Sequence, residues 1–487
     1  MKKIVVYDNT IRPSEIIREV IGDKGFGDVV VKRKMLKTFY KDNVENIFQE
    51  FQWIEVNNFY ELDVLSKELE NCDNRDDIRI LHCFSDYIIS DVSDVALTYK
   101  KLDYIEDNIQ LLQDKQCFGM MFCNMIGYIS FIKRAIECRN VRTAILDETF
   151  IRLEATGLSY IGEISNFIQC ITGNFDSRYF NSLQGTQYCL RKSSTNKKKI
   201  ESEYKYYHLL PENMQSWFVM PYDYREDATT ASYAMERLHM TDIAIKWVHG
   251  SIGKDEFSEL MDMYFYFFNQ RSKKEVTKEE YDRISTSLYK DKVEQRISDL
   301  KKLPEFKKIA NLLANNDKLI SIDAIYERYL NLKEKVEKRV EYPVVSVIGH
   351  GDPCFANAMY NRSTRTLKFI DPKGALREED LWTNAYYDIA KLSHSVCGRY
   401  DFFNNAMFDI AIDENFEYRL SIPFDNEEYK EIFKKKAEEN GFDYWTVRLY
   451  EASLFLSMLP LHIDYPHKVF GFILNAVNIL EEIEENV

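Results

Sequence analysis

At 487 residues the chain exceeds what one hydrophobic core supports, so two or three domains are expected. Hydrophobic residues make up 45% and charged residues 29%, a globular composition rather than a disordered one. The formal net charge of −15 argues against a nucleic-acid or anionic-membrane binder. Nine cysteines, an odd number without a CxxC pair, suit a reducing compartment better than a disulfide framework. No His/Cys cluster has zinc-ligand spacing. The start, MKKIVVYDN, has too short an apolar run for a signal peptide, and the uncharged stretch from Gln116 to Ile132 is too short to span a bilayer. A cytoplasmic location is expected.

In residues 1–158, "KIVVY", "DVVVK", "QWIEV" and "IRILH" are short, apolar and mostly β-branched, as buried strands are. Pro13 to Ile21 and Phe59 to Cys72 carry apolar residues at helical spacing, with Pro13 placed at a helix start. Alternation of this kind predicts βαβ units and a mostly parallel sheet, a Rossmann-like or nucleotidyltransferase-like α/β domain. After the first strand, YDNTIRPSE lacks the glycines of a phosphate-cradling loop. Asp8 ends that strand like a phosphatase nucleophile, but Thr10 stands where a second Asp would be needed. Asp86, Asp91 and Asp94 follow a strand, where metal–nucleotide ligands often sit, but read rather as helix caps and solvated loop acids. The domain is expected either to bind or scaffold, or to act as a nucleotidyl- or glycosyl-transferase.

Residues 159–240 read as strands around one helix. "FIQCITGNFDSRYF", with a turn at Gly173-Asn174, "TQYCLRKSS", "WFVMPYDY" and "TTASYAMERL" supply the strands. Lys197 to Leu210, closed by Pro211, is the helix. Residues 241–487 are mainly helical, broken near Gly253 and Pro304, with strands at "VVSVIGHG" and "TLKFIDP" and a hairpin at "FDIAIDENFEYRLSI".

The informative stretch is VIGHGDPCFANAMYNRSTRTLKFIDPKG. Transfer of a phosphoryl group needs oxygen ligands for Mg²⁺, a carboxylate near the acceptor hydroxyl, and a cation on the nucleotide phosphates. Hard Mg²⁺ selects Asp and Asn over Cys and His. Asp352 suits the acceptor proton, and Asn357 and Asp371 suit the metal. Taken alone, Asp352 is also an ordinary turn aspartate, since Asp-Pro favours turns. For the cation, Arg191 and Lys192 lie on opposite faces of a strand. On the next helix Glu203 is the first choice of pairing acid and Glu201 the second.

His350-Gly351-Asp352, Asn357, Ile370-Asp371-Pro372 and "YYDIAKLSHS" together resemble the aminoglycoside phosphotransferase/choline kinase superfamily, over about residues 160–485. The resemblance implies that an α+β bilobal, protein-kinase-like domain with a mostly helical C-lobe follows the α/β N-terminal domain. It also implies roles. Asp352 would be the catalytic base and Asn357 and Asp371 the Mg²⁺ ligands. His350 and Asp388 would be structural. ATP would lie against Arg191 or Lys192 paired with Glu203, with a hinge at Met235, Glu236 and Leu238. The family pattern favours Arg191 over Lys192. Backbone N–H groups from Asn174 to Ser177 would contact phosphate, and His462, Asp464 and His467 would face the acceptor. The wording is similar to phosphotransferases of bacterial capsule and surface-polysaccharide gene sets. That implies an ATP-dependent small-molecule kinase acting on a hydroxyl or amine of a sugar, amino alcohol or polysaccharide precursor, the alternative being a catalytically inactive kinase fold that binds nucleotide or sugar. The expected partners are a nucleotide and a small molecule, with no nucleic acid and no membrane insertion, and a homodimer left open.

Overall fold

The computed structural model describes residues 2–31, 33–72, 78–145, 150–172, 181–186, 188–316, 319–414 and 417–487. The chain divides into two compact units, residues 1–173 and 174–487.

The first unit is built on a six-stranded sheet in the order Gln52–Val56, Lys2–Asp8, Ile78–Phe84, Gln116–Phe122, Ile109–Gln113, Ile151–Glu154. The first three strands are parallel, but Gln116–Phe122 runs antiparallel to both its neighbours. The sheet is therefore mixed, where the sequence pattern predicts a mostly parallel one. Gln116–Phe122 and Ile109–Gln113 form a hairpin, which needs no crossover helix. Both faces are covered, because Ile4, Val6 and Ile80 enter one core and Val5, Tyr7 and Leu81 another. The run "DVVVK" contributes only Val30–Val31, paired with Lys34–Met35 outside the main sheet. The segment "FIQCIT", expected as a strand, lies in the helix Ile164–Thr172. Phe167 and Cys170, one turn apart, are its buried positions.

At the C-terminal edge of the parallel strands Asp8 is buried against His82, whose ring also meets the Tyr128 hydroxyl, each at 3.0 Å. Asn9 accepts from the Gly27 N–H at 2.8 Å and donates to Asp28 and Asn57 at 3.1 Å each. Asp86 is not the solvated acid expected. It is buried and bound to Arg142 at 2.6 Å. Asp91 does cap the helix Val92–Tyr99, and Asp94 accepts from Thr156.

The second unit opens with a four-stranded antiparallel sheet, Asn181–Gly185, Cys189–Ser194, Ala231–Glu236 and Pro221–Glu226 in spatial order. The helix Lys197–Leu209 starts at Asn196, whose side chain accepts the Lys199 N–H. It packs Ile200 against Ala231 and Tyr233 of the sheet. The remainder is a helical lobe around one large core. Its centre is the helices Ala385–Val396 and Tyr444–Met458, which are buried on nearly every side. Two three-stranded sheets lie within this lobe. In one, Val345–Ile348 pairs with Lys273–Glu275 and Trp382–Asn384. In the other, Ala358–Asn361 pairs with Thr241–Asp242 and Thr366–Phe369. These short strands carry the motif: Val345–Ile348 leads into His350-Gly351-Asp352, and Thr366–Phe369 leads into Ile370-Asp371. Among the described residues no helix is long and apolar enough to cross a membrane.

Candidate active site

The loop after Val345–Ile348 is held by one carboxylate. Asp388, fully buried in the first turn of the helix Ala385–Val396, accepts the His350 N–H at 3.0 Å and the Gly351 N–H at 2.8 Å. Its charge is met by Arg271, 1% exposed, at 3.1 Å. Burial pulls the Arg271 guanidinium below its usual value although Asp388 supports it. Gly351 has φ +84°, and a Cβ there would come within 2.5 Å of Lys373, so the turn requires glycine.

His350 joins this loop to the next strand. Its Nδ1 accepts the Asp352 N–H, so Nε2 carries the proton and donates to the Ile370 carbonyl, both at 3.0 Å. The ring stacks on Phe218 and is buried, and burial lowers its pKa despite nearby Asp388 and Asp352, so it stays neutral. Asn357 donates from its amide nitrogen to the Asp352 carbonyl at 2.9 Å, leaving the amide oxygen as the free acceptor. Its own carbonyl accepts the Ile370 N–H at 3.0 Å. Asp371 adopts φ +53°, a left-handed conformation that Asp tolerates better than most side chains.

On the sheet, side-chain alternation separates the two candidate cations. Lys192, 4% exposed in its side chain, reaches Glu203 and Asp371 at 2.7 Å each. Burial works against its charge, but Asp371 and Glu203 outweigh that and raise its pKa. Arg191, which the sequence pattern favours, faces the other way. It binds the Asp223 carboxylate and, at 3.1 Å, the Ser232 hydroxyl. Glu203 is buried and also accepts from the Tyr233 hydroxyl at 3.1 Å. Glu201 pairs with Lys205 at the surface. The helix bearing Glu203 is tied to the loops at two further points. Tyr206 donates to the Gly349 carbonyl, and Ala375 donates its N–H to the Ser202 carbonyl, both at 3.0 Å.

A cavity opens between the sheet and the Asp371 loop, lined in part by Tyr207, Phe218, Tyr233, Met235 and Asp371. Met235 therefore borders it. Glu236 is exposed at the end of its strand and Leu238 is half-buried just beyond. The stretch Asn174 to Ser177 lies outside the described residues, as does the turn at Gly173-Asn174.

Asp352 is half-exposed and meets Lys391, from the helix Ala385–Val396, at 3.0 Å. Partial loss of water opposes its charge, but the Lys391 ammonium outweighs this and lowers the Asp352 pKa. Burial likewise disfavours the Lys391 ammonium, and Asp352 more than compensates, raising its pKa. Sequence reasoning missed Lys391, although a signal existed. It stands three residues after Asp388 on one helix face. Of the acceptor candidates, His462 lies 3.4 Å from Lys468 and edge-on to Phe472. His467 is exposed and stacks on Phe408, and Asp464 is exposed.

The arrangement joins the Asn357 side chain to the Asp352 carbonyl, and the doubly paired Lys192 ammonium to Asp371, within the second unit. Among the described residues no group of three or more His, Cys, Asp or Glu side chains is placed to hold a metal. Mg²⁺ needs only one or two protein ligands when phosphates supply the rest, and the Asp371 carboxylate with the Asn357 amide oxygen fits that requirement.

The sequence matches no protein-family model and no curated protein. Among solved structures the chain is similar to a thermostable mutant of the aminoglycoside phosphotransferase APH(4)-Ia, in a ternary complex with ADP and hygromycin B. That likeness has 10% identity over 65% of this chain and 97% of that one, with a TM-score of 0.36. It is also similar to a Plasmodium vivax ethanolamine kinase, at 12% identity over 73% of this chain and 93% of that one, with a TM-score of 0.37.

Proposed function

We propose that the second unit is an ATP-dependent small-molecule kinase. The observation that carries this reading is Lys192, buried and bridging Glu203 of the adjacent helix and Asp371 of the motif loop. A buried ammonium held by two acids suits the α/β-phosphates of a nucleotide, and Glu203 fixes its position. Asp371 and Asn357 would hold Mg²⁺, which when bound would offset the negative charge that develops on the phosphates. The cavity bordered by Met235 would take the base, with backbone groups near Glu236 and Leu238 as its partners.

In the transfer, the acceptor oxygen bonds to the γ-phosphorus as the bond from that phosphorus to the ADP oxygen breaks, and the acceptor proton passes to Asp352. Lys391 makes Asp352 a weak base, so its main work is to orient the hydroxyl until bond formation is well advanced. The acceptor class drawn from the sequence resemblance is a sugar, amino alcohol or polysaccharide precursor of the cell surface.

The test is magnesium-dependent ATP binding, read as a rise in melting temperature through linkage. Asp352→Asn should keep that rise and lose phosphoryl transfer by about 100-fold or more. Absence of any shift with millimolar ATP and Mg²⁺ defeats the kinase reading, and full turnover by Asp352→Asn defeats the role of Asp352.

A further inference from the structure

Two lysines, Lys391 and Lys292, act on Asp352, and a third, Lys468, is buried in the same lobe, although the chain carries a net charge of −15. Lys391 lies 3.0 Å from the carboxylate. Lys292 donates to the buried Tyr387 hydroxyl at 2.9 Å, one turn of helix before Lys391. Lys468, 2% exposed, packs over the rings of Tyr400 and Phe472 and meets Asn404 and His462. His394 lies against Tyr400 and Phe455, one turn after Lys391.

Local backbone supports the position of Lys292. It follows a π-helical segment, Ser287–Asp291, a rare geometry found frequently at functional sites. That segment is fastened by Tyr289, which stacks on Tyr450 at 3.6 Å and donates to Asn384 at 3.3 Å.

The protonation of neighbouring groups reports the same field. Burial would raise the Tyr387 hydroxyl, yet Lys391 and Lys292 draw it below its ordinary value. His394 is driven well below its ordinary value by burial, with Lys391, His462 and Lys468 adding to it. Two acids lie among these groups. Asp352 is the reacting group, and Asp401 is buried and holds its proton to about pH 7, chiefly through burial.

We infer that the acceptor is a hydroxyl compound that itself carries an anionic group, phosphate or carboxylate, seated against Lys292, Lys391 and Lys468 with its hydroxyl at Asp352. This rests on the kinase reading and narrows it. A sugar phosphate or sugar acid fits, whereas an amino alcohol would place its ammonium among three lysines.

The experiment loads the full chain with AMP-PNP and Mg²⁺, then titrates inorganic phosphate, acetate and choline by calorimetry. Phosphate, acetate or both should bind, and choline should not. Lys292→Met should weaken anion binding by about tenfold, the loss of one charge-assisted contact, while AMP-PNP affinity holds. Lys391→Met serves as the second variant, with circular dichroism confirming that each folds. Phosphate without acetate assigns a phosphorylated acceptor, and the reverse assigns a carboxylated one. The inference is overturned if neither anion binds, if choline binds instead, or if both variants bind anions as the parent does. Failure of AMP-PNP to bind defeats the kinase reading separately, and the same titrations on the nucleotide-free chain then still decide whether the lysine cluster receives anions.

Discussion

Asp388→Asn is the sharpest test of how the motif loop is held. The carboxylate accepts three hydrogen bonds, from Arg271, His350 and Gly351. A carboxamide keeps one acceptor oxygen. With that oxygen on His350 and Arg271, its NH₂ group faces the Gly351 N–H, donor against donor. Breaking a buried ion pair by removing one charge costs about 3–5 kcal/mol. Arg271 retains the carbonyls of Phe268 and Ala385 at 3.0 and 3.2 Å, which favours the lower end. The stranded N–H adds about 1–3 kcal/mol. A loss near about 4 kcal/mol is therefore expected. Urea unfolding followed by tryptophan fluorescence measures it well, since four of the five tryptophans, Trp217, Trp247, Trp382 and Trp445, lie in residues 174–487. Activity should fall about 100-fold, because Asp352 sits at the end of the same loop. The double variant Arg271→Met/Asp388→Leu removes the stranded charge and should recover part of the stability but none of the activity. A single variant within about 1 kcal/mol of the parent, or a double variant that recovers both properties, refutes this account.

Lys192→Met strands Glu203 and should destabilise by about 3 kcal/mol, with Glu203→Gln in that background restoring much of it; absence of coupling in that double-mutant cycle would reject the pairing. Stability should also fall as pH rises. Burial lifts Asp401 and Glu451 to about 7. In the unfolded chain both ionise near about pH 4, so the folded state holds the extra protons between these limits. Their contribution is full below about pH 4 and is lost as pH rises through about 7. Melting temperature should drop from about pH 5 to about pH 8, less steeply in Asp401→Asn, and a rise over that range counts against the buried acids.

Several parts of this fold were legible because burial leaves a period in the chain. Lys2–Asp8 and Ile78–Phe84 are apolar runs of strand length, and Lys197–Leu209 is bracketed by Asn196 and a proline. Ile164–Thr172 misled because Ile, Phe and Cys suit a strand, and nine residues hardly show a 3.6 period. The strand Ala358–Asn361 leaves little signal, being short and flanked by polar residues. At the candidate site, the proximity of Asp352, Asn357 and the Asp371 loop was legible because they flank short strands close in sequence. The choice between Arg191 and Lys192 depends on which strand face meets the helix, which two adjacent cations do not reveal. Lys292 left no signal, since only the π segment and the packing of Tyr289 bring it beside a helix almost a hundred residues later.

The helix Lys197–Leu209 is fastened to the helical lobe at both ends of its active face. Gly374 closes the fit, because a Cβ there would meet the Ser202 hydroxyl at 2.5 Å. Swinging this helix outward would break the Tyr206 and Ser202 backbone bonds together with the Lys192 pair. On the kinase reading, an enzyme assembled this way would have no cheap off position. It would stand ready whenever nucleotide and acceptor arrived, so control would have to fall on how many copies are made and on the supply of what they consume.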